Sequence, residues 1–323
     1  MGALFCLLSA AGFGAMAVFG KLSYDAGVSV DALLLVRFGL AGAVLLIVAL
    51  ARGALRNLPR RAVLAGLGMG VFGYAAQAGL YFSALTRIDA SLVALMLYLY
   101  PVLVTAGAVV LGRERASRRR VSALGIALAG IGLVLSGATT GRFDGIGVLL
   151  ALGAAVVYTC YILVGDRVTA DISPLALTAL VCTGAFGTFL VTGFVRGGTD
   201  LHFAPVGWLW LGALALVSTV AAILLFFAGM ARVGPSVASI LSILEPVVTV
   251  IAAAAVFGEL LTPTQWIGGA LVLSAVVIVQ WPTPGRRARQ AGRQTAAVDS
   301  SASARVAAVR FFGAADQADT HIS

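Results

Sequence analysis

Most ionisable residues of this chain fall in short polar segments between long apolar ones, so the exceptions are where chemistry is to be sought. Glu245 is the one carboxylate placed well inside an apolar segment, and Pro246 follows it. Ser239, Ser242, Glu245 and Thr249 recur at spacings that share one helical face. A charge at the centre of a hydrocarbon layer costs roughly 2.5–3.5 kcal/mol on insertion scales, so such a stripe is expected to face a protein interior or a water-filled path. Two readings of Glu245 follow. It contacts a cationic or amine-bearing solute or takes up a proton, or it is a buried partner that holds its helix in register. Arg37 is the second exception, near the start of its segment. It is expected chiefly to snorkel to the outer interface; the other reading is a charge partner for a solute carboxylate. Tyr74, Gln77 and Tyr81 share a face of a third segment, Tyr98 shortly precedes Pro101, and Tyr158 and Tyr161 are neighbours on one face. The expected solute-binding set is Tyr74, Gln77, Tyr98, Tyr158, Ser239, Ser242 and Glu245; for the tyrosines, packing or interfacial anchoring is the alternative. Pro101 and Pro246 each remove a backbone donor and are expected to kink their helices.

Other chemistries find little support. The histidines are His202 and His321, in a loop and in the tail, and no acid pair, Ser–His arrangement or metal-type cluster occupies the apolar segments. No catalytic residues, metal or cofactor are therefore expected. Gly68, Gly70 and Gly73 match a dinucleotide-binding fingerprint but follow no strand, and with Gly66 they read as a close helix-packing surface. Cys6, Cys160 and Cys182 are odd in number and lie in apolar segments, where they read as small apolar fillers.

The elements that must position these residues are membrane helices. Apolar residues make up 60% of the 323 and charged ones 11%, with a mean hydropathy of +1.03; a soluble domain carries about 25% charge. A bilayer crossing needs about 20 apolar residues. Ten such stretches are legible, near 2–22, 32–51, 63–82, 89–111, 121–138, 145–165, 174–195, 207–229, 235–257 and 264–281. The first has no basic n-region or cleavage site and is expected to be a retained helix. Trp208, Trp210, Trp266 and Trp281 lie near segment ends, as interface anchors do. The net charge of +9 gathers on one side. With both termini in the cytoplasm, only Lys21, Arg87, Arg142 and Arg196 fall outside, and Arg37 lies within a helix. Topology thus accounts for the basic charge and no nucleic-acid partner is implied. Membrane lipid is the expected surroundings, and faces of small residues permit a homodimer.

The chain also repeats itself. Phe82 to Glu114 aligns without a gap on Phe227 to Glu259, pairing Arg87 with Arg232, Ser91 with Ser236, Pro101 with Pro246 and Glu114 with Glu259. Five helices per copy is an odd number, so the copies are expected to enter the membrane from opposite sides, as in carriers whose site lies where inverted halves meet. The halves join near Gly141 to Gly145, and the polar tail reads as a disordered extension.

These residues resemble a known family. Leu95-x-x-Tyr98-Leu99-Tyr100-Pro101 with Leu111-Gly112-Arg113-Glu114, and Leu244-Glu245-Pro246-Val247 with Phe257-Gly258-Glu259-Leu260-Leu261-Thr262, are similar to the EamA domain of the drug/metabolite transporter (DMT) superfamily. Arg37-Phe38 is similar to an Arg-Phe pair of its first copy, whereas Phe13-Gly14 stands where many members carry Trp-Gly. The resemblance implies an all-α membrane protein of ten transmembrane helices as two inverted five-helix repeats. Residues 1–140 form the first repeat, 145–281 the second, and 282–323 a basic cytoplasmic tail. It implies a secondary transporter of the bacterial inner membrane, both termini cytoplasmic, that exports an amino acid or derivative by alternating access. Uptake of another small solute, a membrane-embedded enzyme and a non-transporting sensor are the alternatives.

Overall fold

A computed structural model describes residues 1–56, 58–113, 117–138, 144–168, 172–234, 237–238 and 241–280. Every regular element among them is a helix. In chain order they are α1 (Gly2–Asp25), α2 (Val30–Ala51), α3 (Arg60–Leu85), α4 (Ala90–Val110), α5 (Arg118–Ser136), α6 (Gly145–Gly165), α7 (Pro174–Val195), α8 (Val206–Val233), α9 (Leu244–Phe257) and α10 (Pro263–Ile278). The first eight are long and apolar enough to cross a membrane, while α9 and α10 are shorter apolar helices. The expected ninth stretch, 235–257, is cut because a turn at Ser242–Ile243 precedes Pro246, which occupies the first turn of α9. Ser239, Glu114, Trp281 and the tail from 282 lie outside the described residues.

Local chemistry sets the ends of these helices. Ser29 and Ser173, the residues before α2 and α7, each accept a backbone N–H three residues on, from Ala32 at 3.2 Å and Ala176 at 3.3 Å. Asp144 does the same for α6, accepting from Ile146 N at 2.8 Å and Gly147 N at 3.0 Å, while Arg87 Nη1 donates to it at 3.0 Å. The Gly147 N–H and the Arg87 guanidinium hold its carboxyl below the usual carboxylate range.

Irregularities recur in matching places. α3 contains a π-helical stretch at Met69–Tyr74 and α8 one at Leu216–Ala221. α4 breaks at Tyr98–Leu99 and restarts at Tyr100 with Pro101 in its first turn, where a missing N–H does no harm. The helical ladder is therefore interrupted just before Pro101 and just before Pro246, and each proline lies in the first turn of the segment that follows.

Helix pairing shows the same correspondence. α2 packs on α7 and α5 on α10; α1 packs on α8 and α9, while α6 packs on α3 and α4. Exchanging the first five helices for the last five leaves this set of pairs unchanged. The α5–α10 contact is made backbone to backbone. A Cβ on Gly130 would stand 2.7 Å from Gly268 O, and one on Gly268 would stand 2.6 Å from Gly130 O and 2.7 Å from Val134 N. Gly66 and Gly70 face α7, with added carbons meeting Leu180 and the Val181 carbonyl, and Gly73 faces the Tyr161 ring, so this run serves packing. Cys6 and Cys182 are buried fillers, but Cys160 is exposed on α6. Trp210 is also no simple anchor, since it stacks on Phe19 with centroids 6.2 Å apart.

Because backbone atoms line both sides of the α5–α10 contact, Gly268→Val is expected to destabilise the protein by about 1–3 kcal/mol, the usual penalty for overpacking. The same change at Gly125, where an added carbon meets nothing within 4 Å, should be near neutral. Thermal unfolding in detergent compares the two.

Candidate functional site

Where the irregular turns of both halves converge there is a cavity of about 290 Å³. Arg37, Tyr74, Gln77, Tyr98, Tyr158, Ser242 and Glu245 all line it. Its wall is drawn from α1, α2, α3 and α4 of the first half and from α6, α7, α8 and α9 of the second. Glu245 is the one acid and Arg37 the one base among the lining residues.

Arg37 does not snorkel. It is 2% exposed, its Nε donates to Thr219 Oγ1 at 3.1 Å, and its guanidinium carbon lies 5.0 Å from the Phe38 ring centre and 5.2 Å from that of Phe82. The snorkelling expectation fails because a polar partner stands within reach inside the bundle, so the charge gains more there than by stretching to the interface. Thr219 belongs to the π-helical stretch of α8, and its hydroxyl donates onward to Leu214 O at 3.0 Å. The π stretch of α3 is tied similarly, with Thr188 Oγ1 donating to Val71 O at 3.2 Å.

Glu245 is positioned by close backbone approach. A side chain at Gly14 would meet Glu245 O at 2.6 Å, so only glycine lets α1 lie this close to α9. Thr249 Oγ1 fastens the contact by donating to Gly14 O at 2.8 Å. Tyr98 donates its hydroxyl to the Ser242 carbonyl, which joins the break in α4 to the turn that precedes α9. Tyr98, Tyr100, Tyr158, Tyr161 and Tyr74 form a continuous run of ring contacts, with successive centroids 5.8, 4.7, 5.9 and 5.9 Å apart. The chamber thus offers a carboxylate, a guanidinium and an aromatic wall bearing hydroxyls. A molecule with separated ammonium and carboxylate groups and an apolar body fits that chemistry.

Several lining residues were not singled out by sequence. Tyr100 carries the closest ring contact of the run, and Met16, Thr178, Ile223 and Phe226 also line the wall, beside Phe13 and Phe227, which the sequence had already marked. Tyr100 sits two positions from Tyr98 and would share its face only if the helix broke between them. Thr219 was not singled out either, being one of two adjacent hydroxyl residues, with Ser218, in an apolar run. Pro101 is absent from the wall, whereas Pro246 lines it.

The model of the EamA-like transporter family matches residues 1–136 and 145–281. An uncharacterized transporter of Archaeoglobus fulgidus is 32% identical over 213 residues, 66% of this chain and 74% of that protein. Uncharacterized transporter YyaM of Bacillus subtilis is 28% identical over 251 residues, 75% of this chain and 81% of its own. A protein crystal structure superposes with a TM-score of 0.62 at 22% identity, covering 86% of this chain and 95% of its own, which shows a shared fold.

Replacing Thr219 by Val keeps the shape but leaves Arg37 Nε without its acceptor. A hydrogen bond to a charged group contributes about 1.5–3 kcal/mol, so Thr219→Val should lower the melting temperature clearly. Thr105→Val, which removes only a bond to the backbone of its own helix, should not.

Proposed function

The chain belongs to the EamA-like transporter family of the DMT superfamily, and from that premise we propose that it carries a small zwitterionic metabolite, an amino acid or derivative, across the inner membrane. The observation that carries this reading is the cavity shared by both halves, with one acid and one base among its lining residues. Arg37 receives the carboxylate, Glu245 the ammonium, and the tyrosines the body of the solute. The halves act as inverted five-helix repeats that rock about this chamber by alternating access. Support comes from the matched irregularities of α3 with α8 and of the α4 break with the turn before α9, and from a pairing pattern unchanged on exchanging halves. Both termini lie in the cytoplasm, which places the arginine-rich loops on the inner side. The direction is export. The names of the relatives favour transport over catalysis.

Proteoliposomes loaded with labelled amino acids, nucleosides, sugars and polyamines test this, followed with and without a pH gradient. Selective loss of amino acids is expected. Arg37→Gln and Glu245→Gln should each slow that loss at least about tenfold, since unpairing a buried charge costs about 2–5 kcal/mol. Leu260→Ala, at a residue 83% exposed, should not. Selective loss of sugars or nucleosides, or no loss from folded protein, contradicts the assignment.

A further inference from the structure

One end of the bundle is tied by ion pairs between helix ends. Arg87 meets Asp144 at 3.0 Å, Arg196 meets Asp31 at 2.9 Å, and Lys21 meets Glu259 at 2.6 Å. The first two are exposed and of the kind that contributes little. The third differs. The Glu259 side chain is only 7% exposed and takes four donors: Lys21 Nζ, the backbone N–H groups of Ala90 and Ser91 at 3.2 Å, and Ser91 Oγ at 3.0 Å. It therefore caps the free N-terminus of α4 from a different part of the chain, satisfying donors that no residue of α4 satisfies.

The backbone at the end of α9 makes this reach feasible. Gly258 adopts φ +67°, a left-handed conformation that glycine adopts readily, and Glu259 N donates back to Ala253 O at 3.4 Å. The chain thereby leaves α9 sharply and carries Glu259 across to α4. Lys21 comes from the end of α1, so the cluster joins the ends of α1 and α9 to the start of α4. All three helices contribute residues to the cavity wall.

The layer between this cluster and the cavity is packed. Ala90 and Ser91 are fully buried, and Ala94, one turn further along α4, already lines the cavity. Phe82 lines it too and is fully buried, its ring against Gly20, where an added carbon would stand 2.8 Å away. Tyr24 Oη donates to Phe82 O at 2.8 Å, tying α1 to α3 at the same level. Asp89 is the other charged group here, 3.9 Å from Lys21, and burial together with Glu259 pushes its carboxyl above the ordinary range.

We propose that Glu259, held by Lys21 and the first turn of α4, is the latch that keeps the cavity sealed at the outer end, and that it must release α4 for the cavity to open outward. This rests on the alternating-access reading above. Release exposes a carboxylate, an ammonium and two backbone donors to water together, so the latch opens as a unit.

The test uses labelling and needs no transport. Ser242→Cys places a thiol in the cavity wall, in a chain whose Cys6, Cys160 and Cys182 are changed to Ala. A membrane-impermeant maleimide is applied to intact cells from outside and to inverted vesicles from the cytoplasmic side. Slow outside labelling is expected in this parent. Glu259→Gln and Lys21→Met should each raise the outside rate about tenfold, the population change given by ~1.4 kcal/mol. Lys21→Met leaves the α4 cap in place and guards against a Glu259 variant that fails to fold. Arg87→Gln, in an exposed pair of the same end, should leave the rate unchanged. Fast outside labelling of the parent overturns the latch. So do unchanged rates in both variants, or a rise that is equal from the two sides, which would mean general loosening. A chain that carries no solute would still give the labelling pattern, so the two proposals can fail separately.

Discussion

A guanidinium inside an apolar bundle is the constraint around which much of this protein is organised. An arginine stays charged wherever it sits and its five N–H groups must find acceptors or π-faces. In hydrocarbon those cannot come from water. Arg37 is met by a hydroxyl from the other half of the chain and by two phenylalanine rings. That hydroxyl lies in the π-helical stretch of α8, so an irregularity of one half meets the charge that α2 of the other half carries.

The remaining irregularities serve the same chamber. The α4 break and the turn before α9 are bonded to each other through Tyr98 and the Ser242 carbonyl, and Glu245 begins the helix that follows. Gly14 permits the approach of α1 that fixes the Glu245 backbone. Glycine-based backbone contact holds wall-forming helices together, as at Gly70 against Val181 O on α7, and also joins α5 to α10, two helices that contribute nothing to the wall among the described residues. The site is built of broken and widened helices, and some of their carbonyls, those of Val71, Leu214 and Ser242, accept from side chains.

The helical, membrane-crossing character was legible because composition and segment length leave few other solutions. Residues facing the cavity were legible where polarity interrupts an apolar face, as for Glu245, Gln77 and Tyr74. Arg37 was located in sequence but its direction was not, since snorkelling and burial differ only by a partner on a distant helix. Tyr100 was missed because the break in α4 alters helical phase between it and Tyr98, and Thr219 because its partner Arg37 lies on a distant helix. Glu259 stood out as the repeat partner of Glu114; its capping of α4 depends on a contact between halves that no local pattern records.

The central claim is that Arg37 and Glu245 hold opposite ends of one zwitterion. Calorimetric titration of the purified protein with an amino acid, its methyl ester and its N-acetyl derivative addresses this directly. The account predicts that each neutralised analogue binds at least about tenfold more weakly, with Arg37→Gln no longer distinguishing the ester and Glu245→Gln no longer distinguishing the acetyl form. Equal binding of all three ligands to the unaltered protein would contradict it.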